Sequence, residues 1–226
     1  MNLPLSDRMK DYEFRNRQSL QPRIPVVIRI DGRAFHTFLA SASQPFDDYF
    51  MLGMKTATRL TMNEMQGCRL AYIQSDEVSF ILTDYDRIAT EPWFDYDQSK
   101  IESVTASIFT RHFRWNGRMA TFDARALNLP HDEVTNYLLW RAKDWTRNSL
   151  GMYCMSFFSH KELEGKSASE RHEMLYGIGK NWATDLTDEE KNGTYILADS
   201  TERHFTPSYE TLELLRAQWD IRSDEA

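Results

Sequence analysis

The most constraining stretch is Pro25-Val26-Val27-Ile28-Arg29-Ile30, which runs straight into Asp31-Gly32. It is β-branched and almost wholly apolar, so it predicts a strand buried on both faces, with Asp-Gly as its stop. Around it, apolar residues at helical spacing over 46–66 predict a helix (Phe46, Phe50, Met54, Ala57, Leu60, Met65). Strands are predicted at Cys68–Tyr72 and Val78–Leu82, with Gln74-Ser75-Asp76-Glu77 as their turn. A helix follows over Ser99–Phe113, a strand over Met119–Ala126, and a helix from Pro130 to about Asn148, where Asp132 and Glu133 favour a helix start. Shorter helices are expected over Asp7–Gln18, Lys166–Tyr176 and Thr211–Trp219.

The order strand, helix, strand-turn-strand, helix, strand is the βαββαβ split motif of ferredoxin-like domains. The expected fold is therefore α+β: an antiparallel palm-like sheet with helices on one face over residues 1–130, and a mostly helical extension over 131–226 packed on it. In such a sheet the end of the first strand and the tip of the following hairpin meet at one edge. That would gather Asp31, Asp76 and Glu77. Clustered carboxylates repel unless cations fill the space between them, and hard oxygen ligands suit Mg²⁺. Two such ions form the clamp used in nucleotidyl transfer. Gly32 is expected to give close backbone approach and positive φ, so that the amides of Gly32-Arg33-Ala34-Phe35-His36 face a triphosphate. Either motif alone is also an ordinary turn.

Charge neither supports nor excludes a polyanionic partner. The net value is −7. It divides into −3 over residues 1–110 (12 basic, 15 acidic), +3 over 111–180 (11 and 8) and −7 over 181–226 (4 and 11). A mildly basic middle can present a local phosphate-binding face. Arg111, Arg114 and Arg118 around Trp115 form one candidate RNA surface, and Arg141, Lys143 and Arg147 another. The sequence has no Gly-x-x-x-x-Gly-Lys-Ser/Thr, Gly-x-Ser-x-Gly or His-Glu-x-x-His. Cys68 and Cys154 make neither a disulfide framework nor a zinc site. With no apolar run of membrane-spanning or signal-peptide length, a cytoplasmic protein without membrane contact is expected.

Several of these segments, in this order, resemble the tRNA(His) guanylyltransferase family of 3′-to-5′ polymerases. They are Asp7-Arg8-Met9-Lys10-Asp11-Tyr12-Glu13, Arg29-Ile30-Asp31-Gly32-Arg33-Ala34-Phe35-His36, Ala71-Tyr72-Ile73-Gln74-Ser75-Asp76-Glu77-Val78-Ser79-Phe80, Ser99-Lys100, Phe122-Asp123-Ala124-Arg125 and Tyr137-Leu138-Leu139-Trp140-Arg141, with a weaker echo at Lys191-Asn192-Gly193-Thr194. The resemblance implies two Mg²⁺ ions held by Asp31, Asp76 and the Gly32 carbonyl. It implies nucleotide contacts from residues 31–36, Ser75, Asp76 and Lys100, and a catalytic or supporting role for Glu77. It also implies tRNA, GTP and ATP as partners, RNA contacts at Arg141, Arg147 and Asn148, and a homotetramer. Where members dedicated to tRNA(His) carry His-Ile-Asn-Asn-Leu-Tyr-Asn, this chain has Thr146-Arg147-Asn148-Ser149-Leu150-Gly151-Met152. That departure turns the expectation toward the branch that repairs 5′-truncated tRNA. A cyclase-like palm enzyme acting on nucleoside triphosphates alone, or a non-catalytic RNA-binding protein, are the alternatives.

Overall fold

The structure, a computed structural model, describes residues 3–15 and 17–220. Residue 16 of the expected first helix and residues 221–226 of the acidic C-terminal stretch lie outside the described residues. Helix α1 (Leu5–Arg15) precedes β1 (Val26–Gly32), the short α2 (Phe35–Phe38), α3 (Asp48–Glu64), β2 (Cys68–Gln74) and β3 (Glu77–Leu82). Then come α4 (Gln98–His112), β4 (Phe122–Asn128) and α5 (His131–Met155). The remainder is α6 (His160–Leu163), α7 (Ala168–Gly177), α8 (Trp182–Asp185), α9 (Asp188–Asn192), β5 (Thr194–Leu197), β6 (Glu202–Arg203) and α10 (Tyr209–Glu213).

The strands form one sheet in the order β4-β1-β3-β2-β5-β6, each neighbour antiparallel. The first four follow the ferredoxin-like order expected from the sequence. β1 lies between β3 and β4, and Val26, Val27 and Ile28 are fully buried. Its alternate residues feed two cores. Val26, Ile28 and Ile30 meet Phe50, Met54 and Ala57 of α3 and Ile101 and Phe109 of α4. Val27 joins Leu70, Tyr72 and Ile81 against Val134, Leu138 and Ala142 of α5 and the C-terminal Leu212 and Trp219. This second layer is why the run 25–30 is apolar without alternation. Capping fixes the helix starts: Asp47 accepts from the Phe50 amide at 2.8 Å and Asp97 from the Lys100 amide at 3.1 Å.

The structure differs from expectation in three places. Helix α5 continues through Gly151 to Met155. The expected helix over 211–219 is the short α10 and a 3₁₀ turn at Arg216–Gln218, held by Arg216 bonding to Asp132, Glu213 and Asp220. The sheet also takes β5 and β6 from the C-terminal stretch, β5 pairing with β2. No described helix is long and apolar enough to cross a membrane.

Gly193 makes the β5 junction possible. Its φ is +78°, and a Cβ there would lie 2.5 Å from the Ile73 carbonyl oxygen. Gly193→Ala should therefore destabilise the fold by about 2 kcal/mol or more. Urea unfolding should show a lower midpoint; an unchanged midpoint would mean that β5 does not dock on β2 in this way.

Candidate active site

The site lies at the sheet edge where β1 ends and the β2–β3 hairpin turns. Ile30 pairs with Val78, so Asp31 follows toward Glu77 and the hairpin tip. Gln74 pairs with Glu77, leaving Ser75 and Asp76 as a two-residue loop. Tight hairpin loops of this length need a left-handed first residue, and Ser75 adopts it with φ +50°. Gly32 has a different reason from the one expected. Its φ is not left-handed; instead a Cβ would lie 2.2 Å from the Phe35 ring. That ring is buried against Phe38, Phe50, Phe113 and Phe122. Gly32 is what lets the chain fold back and seat Phe35 in the core.

A cavity of about 480 Å³ opens at this edge. Asp31, Ser75, Asp76 and Glu77 line it from the sheet, and Arg141, Arg147 and Asn148 from α5. Glu77 is not free. Arg141 donates to it through two bonds, Nε to Oε1 and Nη2 to Oε2, both 2.7 Å, and Gln74 Nε2 adds a third at 3.0 Å. Burial pushes the Glu77 carboxyl above its ordinary value in spite of that fork. At Arg141 burial works against the charge, but the Glu77 carboxylate outweighs it and raises the guanidinium pKa. Arg141, expected at an RNA surface, is thus turned inward, with its side chain only 9% exposed.

Among the described residues Asp76 has no such cation. Burial pushes its carboxyl up to about 6, and the negative charge of Asp31 adds to the effect against hydrogen bonds from its own backbone and Ser75. Two neighbouring carboxylates without a paired cation suit a divalent metal. Among the described residues no group of three or more His, Cys, Asp or Glu is arranged to hold an ion. Asp31 and Asp76 offer two carboxylates on one cavity, hard oxygen groups that suit a cation keeping water and phosphate oxygens as its other ligands.

Sequence reasoning missed six residues of this cavity. Trp145, Gly151, Met152 and Met155 come from α5, Gln74 from β2 and Arg171 from α7. Three of them carry buried polar atoms with no hydrogen-bond partner among the described residues: Gln74 Oε1, Trp145 Nε1 and Arg171 Nε. Such orphaned groups mark a place for water or ligand. The α5 signal was present in the sequence: 141, 145, 148, 152 and 155 form one helical stripe. It emerges only once the helix runs to Met155.

Other expected residues lie elsewhere. Arg33, Ala34 and His36 are exposed at the start of α2, next to the site edge. The Arg33 amide bonds to the Thr121 carbonyl at 2.9 Å and so does not face a triphosphate. Lys100 lines a separate groove of about 420 Å³ with Lys10 and Phe14 of α1. It stands toward the other end of the strands, because Gln98 and Glu102 bond to Ala126 while Asp31 pairs with Asp123. Trp115 is not an RNA platform: it is 2% exposed and donates to Asp47 at 3.1 Å. Around it Arg111 pairs with Glu64, Arg114 bonds to backbone carbonyls, and Arg118 lies over the Phe38 ring at 4.4 Å.

Residues 6–131 match the family model described as tRNAHis guanylyltransferase. The chain belongs to the tRNA(His) guanylyltransferase family. It is a nucleotidyltransferase by that membership. The tRNA(His) guanylyltransferase of Schizosaccharomyces pombe is 30% identical over 205 residues, spanning 79% of this chain and 75% of that one. A bacterial tRNA(His) guanylyltransferase-like protein in complex with ATP superposes with a TM-score of 0.90 at 35% identity, covering 96% of this chain and 100% of that one. A bacterial guanylyltransferase-like protein in complex with GTP gives 0.71 at 34% identity, covering 85% and 83%.

The raised Asp76 pKa fixes the sign of a stability effect in this family member. The ionised carboxylate destabilises the metal-free fold above pH 6, and the penalty fades as the folded protein takes up a proton below it. In EDTA, Asp76→Asn should stabilise the protein at pH 7.5 by on the order of 2 kcal/mol and have no effect near pH 4. Thermal unfolding at the two pH values checks this; a destabilised variant at pH 7.5 would contradict it.

Proposed function

We propose that the chain adds nucleotides to the 5′ end of tRNA in the 3′-to-5′ direction. The observation that carries the reading is the meeting in one cavity of Asp31, Asp76 and Arg171, whose Nε has no hydrogen-bond partner among the described residues. In the first step an oxygen of the RNA 5′-monophosphate attacks the α-phosphorus of ATP (or GTP). A P–O–P bond forms and pyrophosphate leaves. In the second, the 3′-hydroxyl of an incoming nucleoside triphosphate, GTP preferred, attacks the 5′-phosphorus of the activated RNA. The hydroxyl proton passes to solvent and AMP leaves. The new end then carries a triphosphate, and an RNA that already has one needs no activation.

Asp31, Asp76 and the Gly32 carbonyl would hold two Mg²⁺ ions. When bound, these ions neutralise the reacting phosphoryl oxygens and acidify the attacking hydroxyl. The chain itself supplies positioning. Arg171, with no ion-pair partner among the described residues, is placed to bind triphosphate oxygens. Ser75 holds Asp76 by a hydrogen bond. Glu77 and Arg141 fix α5 against the hairpin. His36, on exposed α2 beside the site edge, is assigned a contact to the nucleotide. The departing stretch 146–152 supplies Arg147, Asn148, Gly151 and Met152 to the cavity. A change there alters the residues facing the substrate, which supports the repair of 5′-truncated tRNA over strict tRNA(His) addition.

Asp31→Ala and Asp76→Ala should each lower Mg²⁺-dependent incorporation of labelled GTP into a tRNA lacking its first nucleotide by at least about 100-fold while remaining folded. Arg171→Ala should chiefly raise the KM for the triphosphate. Wild-type incorporation by either aspartate variant would refute the assignment. GTP consumed equally without RNA would favour a cyclase-like enzyme.

A further inference from the structure

A groove of about 720 Å³ opens beside the catalytic cavity, and the two share Arg147. Trp140, Lys143 and Arg147 follow one another at i, i+3 and i+7 on α5, so they share one stripe of the helix. Trp182 of α8, Lys191 of α9 and Thr206 close the other sides. Among the described residues no Asp or Glu lines the groove. In a chain of net charge −7, three cations and no carboxylate in one lining set this surface apart.

The rings are held as platforms. Trp140 is 53% exposed, braced by the Tyr137 ring at 5.8 Å and the Arg141 guanidinium at 4.6 Å. Trp182 donates its indole N–H to Ser149 Oγ at 3.1 Å, which fixes its orientation. Arg147 and Lys191 each pair with a carboxylate outside the lining, Asp144 at 2.8 Å and Asp188 at 3.2 Å. Lys143 is exposed and has no ion pair among the described residues. Aromatic rings interleaved with cations suit nucleotides that are not base-paired: the rings stack bases and the cations track phosphates.

We propose that this groove binds an unpaired nucleotide of the RNA substrate, its base against Trp140 and Trp182 and its phosphate at Lys143 and Arg147. The inference rests on the reading of the enzyme as one that extends RNA. It assigns the RNA a second point of attachment, joined to the reacting end through Arg147.

The test is the affinity of the full-length protein for an internally labelled tRNA lacking its first nucleotide, read by fluorescence anisotropy from 50 to 200 mM salt. ATP affinity is measured separately by calorimetry. Trp140→Ala should weaken RNA binding about 10-fold, and Trp140→Phe should restore most of it. Lys143→Ala should lower the slope of log affinity against log salt by about one. ATP affinity should stay within about twofold in all three, because the groove holds RNA and not the free nucleotide. RNA binding of wild-type strength in both Trp140→Ala and Lys143→Ala would overturn the inference and leave the proposed reaction standing, provided the wild type still extends the tRNA. Weakened ATP binding with unchanged RNA binding would overturn it in favour of a free-nucleotide site. A wild type that binds no RNA would overturn the inference and the proposed reaction together.

Discussion

The fork between Arg141 and Glu77 decides what the sheet edge can do. Three carboxylates arrive at the end of β1 and the tip of the β2–β3 hairpin, and among the described residues only Glu77 meets a guanidinium. A buried ion pair adds little net stability, but removing one partner leaves an uncompensated charge. The pair therefore acts chiefly as a register pin. It ties the middle of α5 to the hairpin, and the α5 stripe from Trp145 to Met155 then forms a wall of the cavity. With Glu77 neutralised, Asp31 and Asp76 remain as the acids whose charge calls for a cation.

The same arrangement explains why the second half of the chain matters to the site. The palm sheet alone would present its carboxylates to open solvent. Helix α5 covers the face opposite α3 and α4, α7 brings Arg171 to the rim, and β5 docks on β2 through Gly193. Tyr72 helps to fasten that docking by donating its hydroxyl to the Asn192 carbonyl at 2.9 Å. The weak family echo at 191–194 thus falls on a joint of the fold and, through Lys191, on the edge of the RNA groove proposed here.

Much of the palm was legible because its signals are local. β1 reads as a buried strand because both of its faces are covered. The turn after Gln74 is set by neighbouring residues. The meeting of Asp31 with Asp76 followed from topology, since the ferredoxin-like order places β1 beside β3. What stayed hidden depends on long-range pairing. The Arg141–Glu77 bond spans 64 residues, and nothing in either segment announces it. β5 has only four residues, too short for a periodic signal. The helix from Pro130 was expected to end at about Asn148, but burial of Leu150, Tyr153 and Cys154 carries α5 on to Met155. Lys100 rested on resemblance alone, and the direction of α4 carries it toward the opposite end of the sheet.

The division of labour among the three acids can be measured directly. Mn²⁺ binding can be titrated in the presence of a non-hydrolysable ATP analogue and followed by electron paramagnetic resonance. Binding should be lost in Asp31→Asn and Asp76→Asn and retained in a folded Glu77→Gln. Retention in Asp76→Asn together with loss in Glu77→Gln would contradict this account.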